Sequence, residues 1–167
     1  LVLGGGYVGV EFAQMFRRFG SEVTIVQRSG QLLTHEDEDI AAEVASILRD
    51  DGITVHLSAT GTRVEQLSDD RIQLRVEKSD ETFDLKGTQI LLAAGRVPNT
   101  EALDLEAATL ETTERGHIKV DEHLETNVPG VYALGDVKGG PAFTHISYDD
   151  FRIVRANLLE DRARTTT

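Results

Sequence analysis

The sequence LVLGGGYVG at residues 1–9 opens the chain and decides its fold. Residues 1–3 form an uninterrupted apolar run, which is typical of a parallel strand buried on both faces. Gly4, Gly6 and Gly9 follow with the spacing G-x-G-x-x-G. In this motif the first glycine permits a tight turn, the second lets backbone approach a pyrophosphate, and the third lets a helix pack on the strand. We therefore expect a helix whose N-terminal amides face phosphate groups.

The residues after this motif extend it into a β-α-β unit. Residues 12–19 carry three phenylalanines at helical spacing, which predicts a helix, and the apolar run at residues 23–26 predicts the next strand. A glycine-rich turn without a ligand is the alternative interpretation. The order strand, turn, helix, strand favours dinucleotide binding, with Gln27 or Arg28 at the ribose position.

The following segments predict an open parallel sheet. An amphipathic helix is expected after the acidic run at residues 35–39, and a third strand at residues 53–57. Short alternating segments within residues 62–85 predict an antiparallel meander, whose polar faces suggest a solvated flap. Residues 89–94 predict a returning buried parallel strand. The fold class is therefore α/β, a Rossmann-like open parallel sheet with an antiparallel β-meander crossover, and a ligand is expected at the carboxyl ends of its strands.

The last third of the chain has a looser pattern. Residues 117–121 alternate like a strand, and residues 131–134 form an apolar run that predicts a buried strand. Residues 146–159 predict a helix with Phe151 and Leu158 on its apolar face.

Composition excludes several classes of function. The chain has 167 residues, 40% of them hydrophobic and 28% charged, and a formal net charge of -12. This charge disfavours nucleic acid and anionic membrane surfaces as partners. The absence of cysteine excludes a disulfide framework and a thiolate metal site, and no apolar run is long enough to span a bilayer. We expect a cytoplasmic location and no metal site, since His35 has no partner histidine at ligand spacing.

Four blocks of sequence together resemble one enzyme family. They are GGGYVGVEF at residues 4–12, QRS at residues 27–29, AAGRVPN at residues 93–99 and VYALGDV at residues 131–137. In this order and at these separations they resemble the class I pyridine nucleotide–disulfide oxidoreductases, which include glutathione reductase, dihydrolipoamide dehydrogenase and mercuric reductase. The resemblance covers nearly the whole chain. The segment FTHISYDD at residues 143–150 is similar to that of mercuric-reductase-like and reactive-chlorine-resistance flavoproteins.

The resemblance implies that the chain is a fragment of a longer enzyme. Residues 1–113 would be the NAD(P)-binding domain, and residues 114–167 the C-terminal segment of an interrupted FAD-binding domain. The implied parent is a homodimeric, FAD-dependent NAD(P)H oxidoreductase, in which this fragment positions nicotinamide for hydride transfer to flavin. The fragment holds no redox cysteine, so we expect it to be inactive and to self-associate through uncovered FAD-domain surfaces. A stand-alone dinucleotide-binding or redox-sensing module is the alternative, although it has no need of the final helix.

The resemblance also implies individual roles. Tyr7 matches a tyrosine that lies over the flavin and swings aside when nicotinamide enters, and Glu11 matches an acid near the carboxamide. Asp136 matches the aspartate that accepts a hydrogen bond from the FAD ribityl chain. The implied cofactor-binding set is Gly4, Gly5, Gly6, Tyr7, Val8, Gly9, Glu11, Gln27, Arg28, Ala94, Gly95, Arg96, Gly135, Asp136, Phe143 and Thr144.

The choice between NADH and NADPH depends on the end of the second predicted strand. Enzymes that bind NADH usually place an acid there to hold the ribose diol, and this chain has Gln27. Arg28 matches the first arginine that NADPH-dependent relatives use on the 2′-phosphate, for which a guanidinium is well suited. Thr34 stands where glutathione reductase has a second arginine. The balance favours NADPH.

Overall fold

A four-stranded parallel sheet organises residues Leu1–Gly95 in the computed structural model, which describes residues 1–160 and 163–167. In chain order the elements of this unit are β1 (Val2–Leu3), α1 (Tyr7–Arg18), β2 (Thr24–Val26), α2 (Glu38–Asp50), β3 (Thr54–His56), β4 (Thr60–Gln66), β5 (Ile72–Lys78), β6 (Glu81–Gly87) and β7 (Leu91–Leu92). The sheet has the order β3-β2-β1-β7, with every pair parallel. The predicted fold class is confirmed. The returning strand β7 lies at an edge, and Leu92 is exposed rather than buried as predicted.

The crossover from β3 to β7 is the predicted antiparallel meander, β4-β5-β6. It is not a solvated flap, however. Leu74 and Val76 of β5 are fully buried, and they form a core cluster with Val26 against which Leu1 and Leu3 pack. Burial of these apolar side chains fixes the meander to the sheet.

The helix α1 reaches the sheet through its smallest residues. Gly9 and Ala13 are its buried positions, and Ala13 belongs to the core cluster that also contains Ile25 and Leu48. The phenylalanines that predicted the helix point outward, with Phe16 40% and Phe19 77% exposed. A close approach of helix to strand requires residues without bulk at the contact, so the phenylalanines flank the contact and stay partly exposed.

The second unit, Arg96–Thr167, contains one long helix and two 3-10 turns in its described part. The helix α3 is Thr144–Leu159, and the turns are Glu101–Leu103 and Gly135–Lys138. The strands predicted at residues 117–121 and 131–134 do not form, since each region makes only an isolated bridge. A strand is stabilised by ladder pairing, which a single bridge does not provide.

The buried face of α3 also differs from the prediction. Asp150, Ile153 and Ala156 face inward, whereas Phe151 and Leu158 are exposed. Across the described residues, no helix combines the length and apolar character needed to cross a membrane.

Candidate functional site

Two glycines of the β1–α1 turn are required by the fold itself. Gly4 has φ +112°, and a Cβ there would lie 2.3 Å from the carbonyl oxygen of Ala93. A Cβ on Gly9 would lie 2.0 Å from the carbonyl oxygen of Gly4. Real Cβ contacts are never this short, so any side chain at either position would displace backbone. These glycines let β1, α1 and the end of β7 meet closely.

Gly6 is different, because the fold does not require its lack of a side chain. It has φ −77° and ψ −176°, which other residues readily adopt, and no described atom lies within 4 Å of a Cβ placed there. Gly6 is also the N-cap of α1, and no side chain of the described chain caps that helix end. The N-terminal amides of α1 therefore stand beside backbone that is open to an approaching group.

Gln27 supports the turn from the end of β2. Its side-chain Oε1 accepts a hydrogen bond of 2.8 Å from the backbone N–H of Gly5. The carbonyl oxygen of Gly5 accepts a second bond of 2.8 Å from the N–H of Leu33, in the loop that follows β2. The sequence predicted Gln27 as a ribose contact but gave no sign of this supporting role, which depends on the pairing of β1 with β2.

Arg28 is exposed beside this turn, and residues 1–160 and 163–167 provide no ion-pair partner for it. An open groove of about 580 Å³ runs between the loop after β2 and the helix α2, with Leu32, Ala45 and Arg49 among its lining residues. None of the residues that the sequence predicted as cofactor contacts lines this groove.

The first residues of α1 lie at the surface. Tyr7 and Val8 are each more than a third exposed, and Glu11 is exposed one turn further on. The Tyr7 hydroxyl donates a hydrogen bond to the Glu36 carboxylate. This bond raises the pKa of Tyr7 above that of an ordinary phenol, and desolvation and the charge of Glu36 act in the same direction. No pattern in the sequence indicates this role for Glu36, which is 29 residues away from Tyr7.

The end of β7 adjoins the same turn. Ala93 contacts Gly4, and Ala94 and Gly95 follow, with φ +131° at Gly95. No described atom lies within 4 Å of a Cβ built on Gly95. The structure thus brings the predicted residues of Leu1–Gly95 together beyond the carboxyl ends of the parallel strands β1, β2 and β7.

The remaining predicted residues belong to the second unit. Asp136 is exposed in the 3-10 turn Gly135–Lys138, and its carboxylate lies 3.7 Å from the guanidinium of Arg96. Phe143 precedes α3, its ring stacked on that of His145 with centroids 5.4 Å apart, and Thr144 is the first helical residue.

A buried carboxylate, missed by the sequence analysis, holds this turn. Asp150 is only 3% exposed, and its Oδ2 accepts a hydrogen bond of 2.8 Å from the N–H of Gly135. The ammonium of Lys138, itself largely buried, lies 3.4 Å from the same oxygen. Asp150 thus links α3 to both ends of the turn that presents Asp136. Among the described residues, no group of three or more acidic, histidine or cysteine side chains could hold a metal ion.

Comparison with known proteins places this geometry in a family. The family model described as pyridine nucleotide-disulphide oxidoreductase matches residues 1–150. The chain belongs to this family. The resemblance inferred from the four sequence blocks is therefore confirmed.

Several oxidoreductases of this family are similar to the chain over nearly its full length. It is 46% identical over 165 residues to the probable pyridine nucleotide-disulfide oxidoreductase RclA of Escherichia coli, covering 99% of this chain and 36% of the relative. Identity is 38% to the mercuric reductase of Streptomyces lividans, covering 99% of this chain and 34% of the relative. Identity is 37% to the dihydrolipoyl dehydrogenase of Bacillus subtilis, covering 90% of this chain and 32% of the relative.

A solved structure supports the same assignment. The HOCl-induced flavoprotein disulfide reductase RclA from Escherichia coli matches with a TM-score of 0.87 and 44% identity, covering 99% of this chain and 37% of that one. The chain therefore spans about a third of the length of the pyridine nucleotide-disulphide oxidoreductases that it resembles.

Proposed function

We propose that residues 1–113 bind a nicotinamide dinucleotide within an FAD-dependent oxidoreductase, and that residues 114–167 complete the FAD-binding domain of that enzyme. When both cofactors are bound, the nicotinamide supplies a hydride and the flavin accepts it. The role of this chain is to hold and align these groups. It contains no cysteine, so a redox-active cysteine pair is not among its contributions.

The observation that carries the proposal is the open backbone at Gly6. Gly4 and Gly9 are explained by contacts within the protein, and Gly6 is not. A glycine without a packing reason, at the uncapped N-terminus of α1, fits a pyrophosphate that contacts the backbone and is stabilised by the helix dipole. The chain is strongly acidic, so this local cluster of amides is the feature that suits an anion.

Further residues are proposed to border the nicotinamide half of the ligand. Tyr7 and Glu11 lie on the first turns of α1, and Gly95 follows the neighbouring strand β7. A carboxylate such as Glu11 accepts hydrogen bonds from an amide NH₂, which is the donor that a carboxamide offers. No described atom lies within 4 Å of a Cβ built on Gly95, so its backbone is also open, although its φ of +131° by itself favours glycine.

NADPH is proposed as the preferred dinucleotide. The Oε1 atom of Gln27 already accepts the Gly5 N–H bond, so the group it can turn to a ligand is its amide nitrogen, a donor. Arg28 adds an exposed guanidinium beside it. Two donors suit the oxygens of a 2′-phosphate better than a ribose diol, whose hydroxyls gain most from a carboxylate.

On the FAD side, Asp136, Phe143 and Thr144 are proposed to contact the cofactor. Asp136 is exposed at a turn fixed by buried Asp150, so its carboxylate is held ready to accept a bond from a sugar-like hydroxyl. The amides at the start of α3, near Thr144, lack a side-chain cap in the described chain and suit the acceptor groups of a flavin.

A titration of the 167-residue chain with NADPH and NADH, followed by nicotinamide fluorescence, tests the proposal. We expect both to bind and NADPH to bind more tightly. Arg28→Ala should weaken NADPH binding roughly tenfold, as for the loss of one charged hydrogen-bond donor, and leave NADH nearly unchanged. Arg63→Ala, which removes an equal charge from the exposed meander, is the matched control. Failure of both dinucleotides to bind a folded chain at millimolar concentration would refute dinucleotide binding.

A further inference from the structure

Gly5, between the first two glycines of the motif, is held on both sides of its backbone by the chain that follows β2. Its N–H donates to the side-chain Oε1 of Gln27 at 2.8 Å, and its carbonyl oxygen accepts from the N–H of Leu33 at 2.8 Å. A Cβ on Gly5 would collide with the side chain of Leu32, which is fully buried in the core of the sheet. The two peptide groups that flank Gly5 therefore have fixed orientations.

These orientations determine which amide a bound group can reach. A trans peptide is planar, so its carbonyl and its N–H point in opposite directions. The carbonyl of Gly5 points toward Leu33, so the N–H of Gly6, in the same peptide group, points away from that loop. The described part of the chain supplies no acceptor for the Gly6 N–H. The N–H of Gly5, in contrast, is already bonded to Gln27 and is not available to a phosphate.

The bond to the Gly5 carbonyl requires an unfavourable backbone conformation at Leu33. Its φ is +46°, in the left-handed region, which costs a residue with a side chain about 1–2 kcal/mol. Such strain persists where the surrounding structure fixes it, and it is concentrated at binding sites. Leu33 is fixed by burial in the same core cluster as Leu32. The strained conformation delivers the N–H that orients Gly5.

Three consecutive glycines make this support necessary. Gly4–Gly6 has no side chain to restrict its φ and ψ angles, so ordering it costs more conformational entropy than ordering other residues. Bonds that already hold the turn in the free chain spare a ligand that cost. An acceptor lost from Gly5 should therefore weaken the binding of any group that contacts the turn.

We propose that Gln27 is a positioning residue for the pyrophosphate of either dinucleotide, and that it acts through the Gly5 N–H. Together with Leu33, it leaves the Gly6 N–H as the donor that faces the phosphates. This inference rests on the proposed dinucleotide-binding function. It extends the role of Gln27 beyond the 2′-phosphate, because NADH has the pyrophosphate and lacks the 2′-phosphate. The effect of Gln27 on NADH is therefore the informative measurement.

Gln27→Leu removes the acceptor and nearly keeps the size of the side chain. It should raise the dissociation constant for NADH roughly two- to tenfold, as for the loss of one hydrogen bond. The constant for an NADH analogue whose adenosine ribose lacks both hydroxyls should rise by the same factor, because this analogue keeps the pyrophosphate and offers Gln27 no ribose hydroxyl. Nicotinamide fluorescence measures both.

Gln14→Leu is the matched control. The side-chain Nε2 of Gln14 donates to Asp51 at 2.8 Å, so the same substitution removes one hydrogen bond from α1 away from the glycine turn. It should change both constants less than twofold. If the effect of Gln27→Leu on NADH vanishes with the analogue, Gln27 is a ribose contact and the inference is wrong. The inference is equally wrong if Gln27→Leu has no effect on NADH.

A second measurement uses the original chain, labelled with ¹⁵N, and follows amide exchange with solvent. The Gly5 amide should exchange slowly with and without NADH, because Gln27 holds it in both states. The Gly6 amide should exchange rapidly in the free chain and slowly when NADH saturates it. Gln27→Glu keeps an acceptor and should keep the Gly5 amide slow, whereas Gln27→Leu should not. Rapid exchange at Gly5 in the free original chain would overturn the inference alone. Absence of any dinucleotide binding by the folded chain would overturn the proposed function and this inference together.

Discussion

Replacing Gly6 by alanine separates ligand binding from folding. A Cβ at this position meets no described atom within 4 Å, and φ −77° with ψ −176° is an extended conformation that alanine adopts without strain. Alanine is a poorer N-cap than glycine but lowers the entropy of the unfolded chain, so the two effects oppose each other. The free energy of unfolding should therefore change by less than about 1 kcal/mol.

Dinucleotide affinity should respond very differently. A methyl group at Gly6 would stand between the backbone and a bound pyrophosphate. Forcing one extra methyl into a close-packed contact costs about 1–3 kcal/mol, which corresponds to a dissociation constant raised roughly 5- to 150-fold. Gly9→Ala provides the contrast, because its Cβ would lie 2.0 Å from the Gly4 carbonyl oxygen and must displace backbone. That variant should lose stability by about 1–3 kcal/mol or more.

Two measurements on the same samples separate the effect of each substitution on folding from its effect on dinucleotide binding. Urea unfolding followed by circular dichroism gives the free energy of unfolding, and NADPH fluorescence gives the dissociation constant. The expected result is Gly6→Ala with original stability and weakened binding. If Gly6→Ala folds normally and binds NADPH as tightly as the original chain, the pyrophosphate does not contact this backbone. The assignment of the glycine turn as the phosphate site would then be wrong.

Three further predictions concern stability and can be checked by unfolding experiments. Leu74→Ala should destabilise Leu1–Gly95 by about 2–5 kcal/mol, because Leu74 is fully buried between meander and sheet; a loss below 1 kcal/mol would mean the meander is only loosely attached. Asp150→Ala should cost the second unit about 3–5 kcal/mol, since it leaves the largely buried Lys138 without its counter-ion; a thermal melt unchanged from the original would contradict this. The hydrogen bond from Arg75 lowers the pKa of Asp84. The stability that the ionised Asp84 adds to the fold is therefore fully present above the usual carboxyl pKa, and it is lost as pH falls through the lower folded-state pKa. In Asp84→Asn the free energy of unfolding should therefore fall less steeply as the pH is lowered into the acid range. The same steepness as in the original chain would show that the Arg75–Asp84 pair does not form in solution.

The sheet of Leu1–Gly95 could be predicted from the sequence because local signals and tertiary packing agree there. The apolar runs, the glycine spacing and the alternating meander each indicate one element, and these elements pack together in the structure. The prediction of buried faces was less successful. Gly9 of α1 packs against the strand as the motif predicts, whereas the apolar face predicted for α3, with Phe151 and Leu158, is exposed. Periodicity identifies a helix, but it does not tell which of its faces packs against the rest of the protein.

The second unit shows a different limit. Residues 117–121 and 131–134 have the alternation or apolar content of strands, but each makes only a one-residue bridge in the structure. Strand propensity reflects packing against neighbouring strands more than an intrinsic backbone preference, so a strand pattern without a ladder stays irregular. The partners Glu36 and Asp150 were missed for a related reason. Each acts on a residue distant in sequence, and one acid among several in an acidic segment carries no signal that sets it apart.

The motif G-x-G-x-x-G combines glycines that serve two separate purposes, and spacing alone does not distinguish them. Gly4 and Gly9 allow the strand and helix to approach each other, so a protein that had lost its ligand would still need them to fold. Gly6 has no such contact, and a chain that needed only the turn could accept a side chain there. The middle glycine is therefore the position at which a structural turn and a phosphate site differ. Its open backbone, rather than the presence of three glycines, is the physical argument for a dinucleotide in this chain.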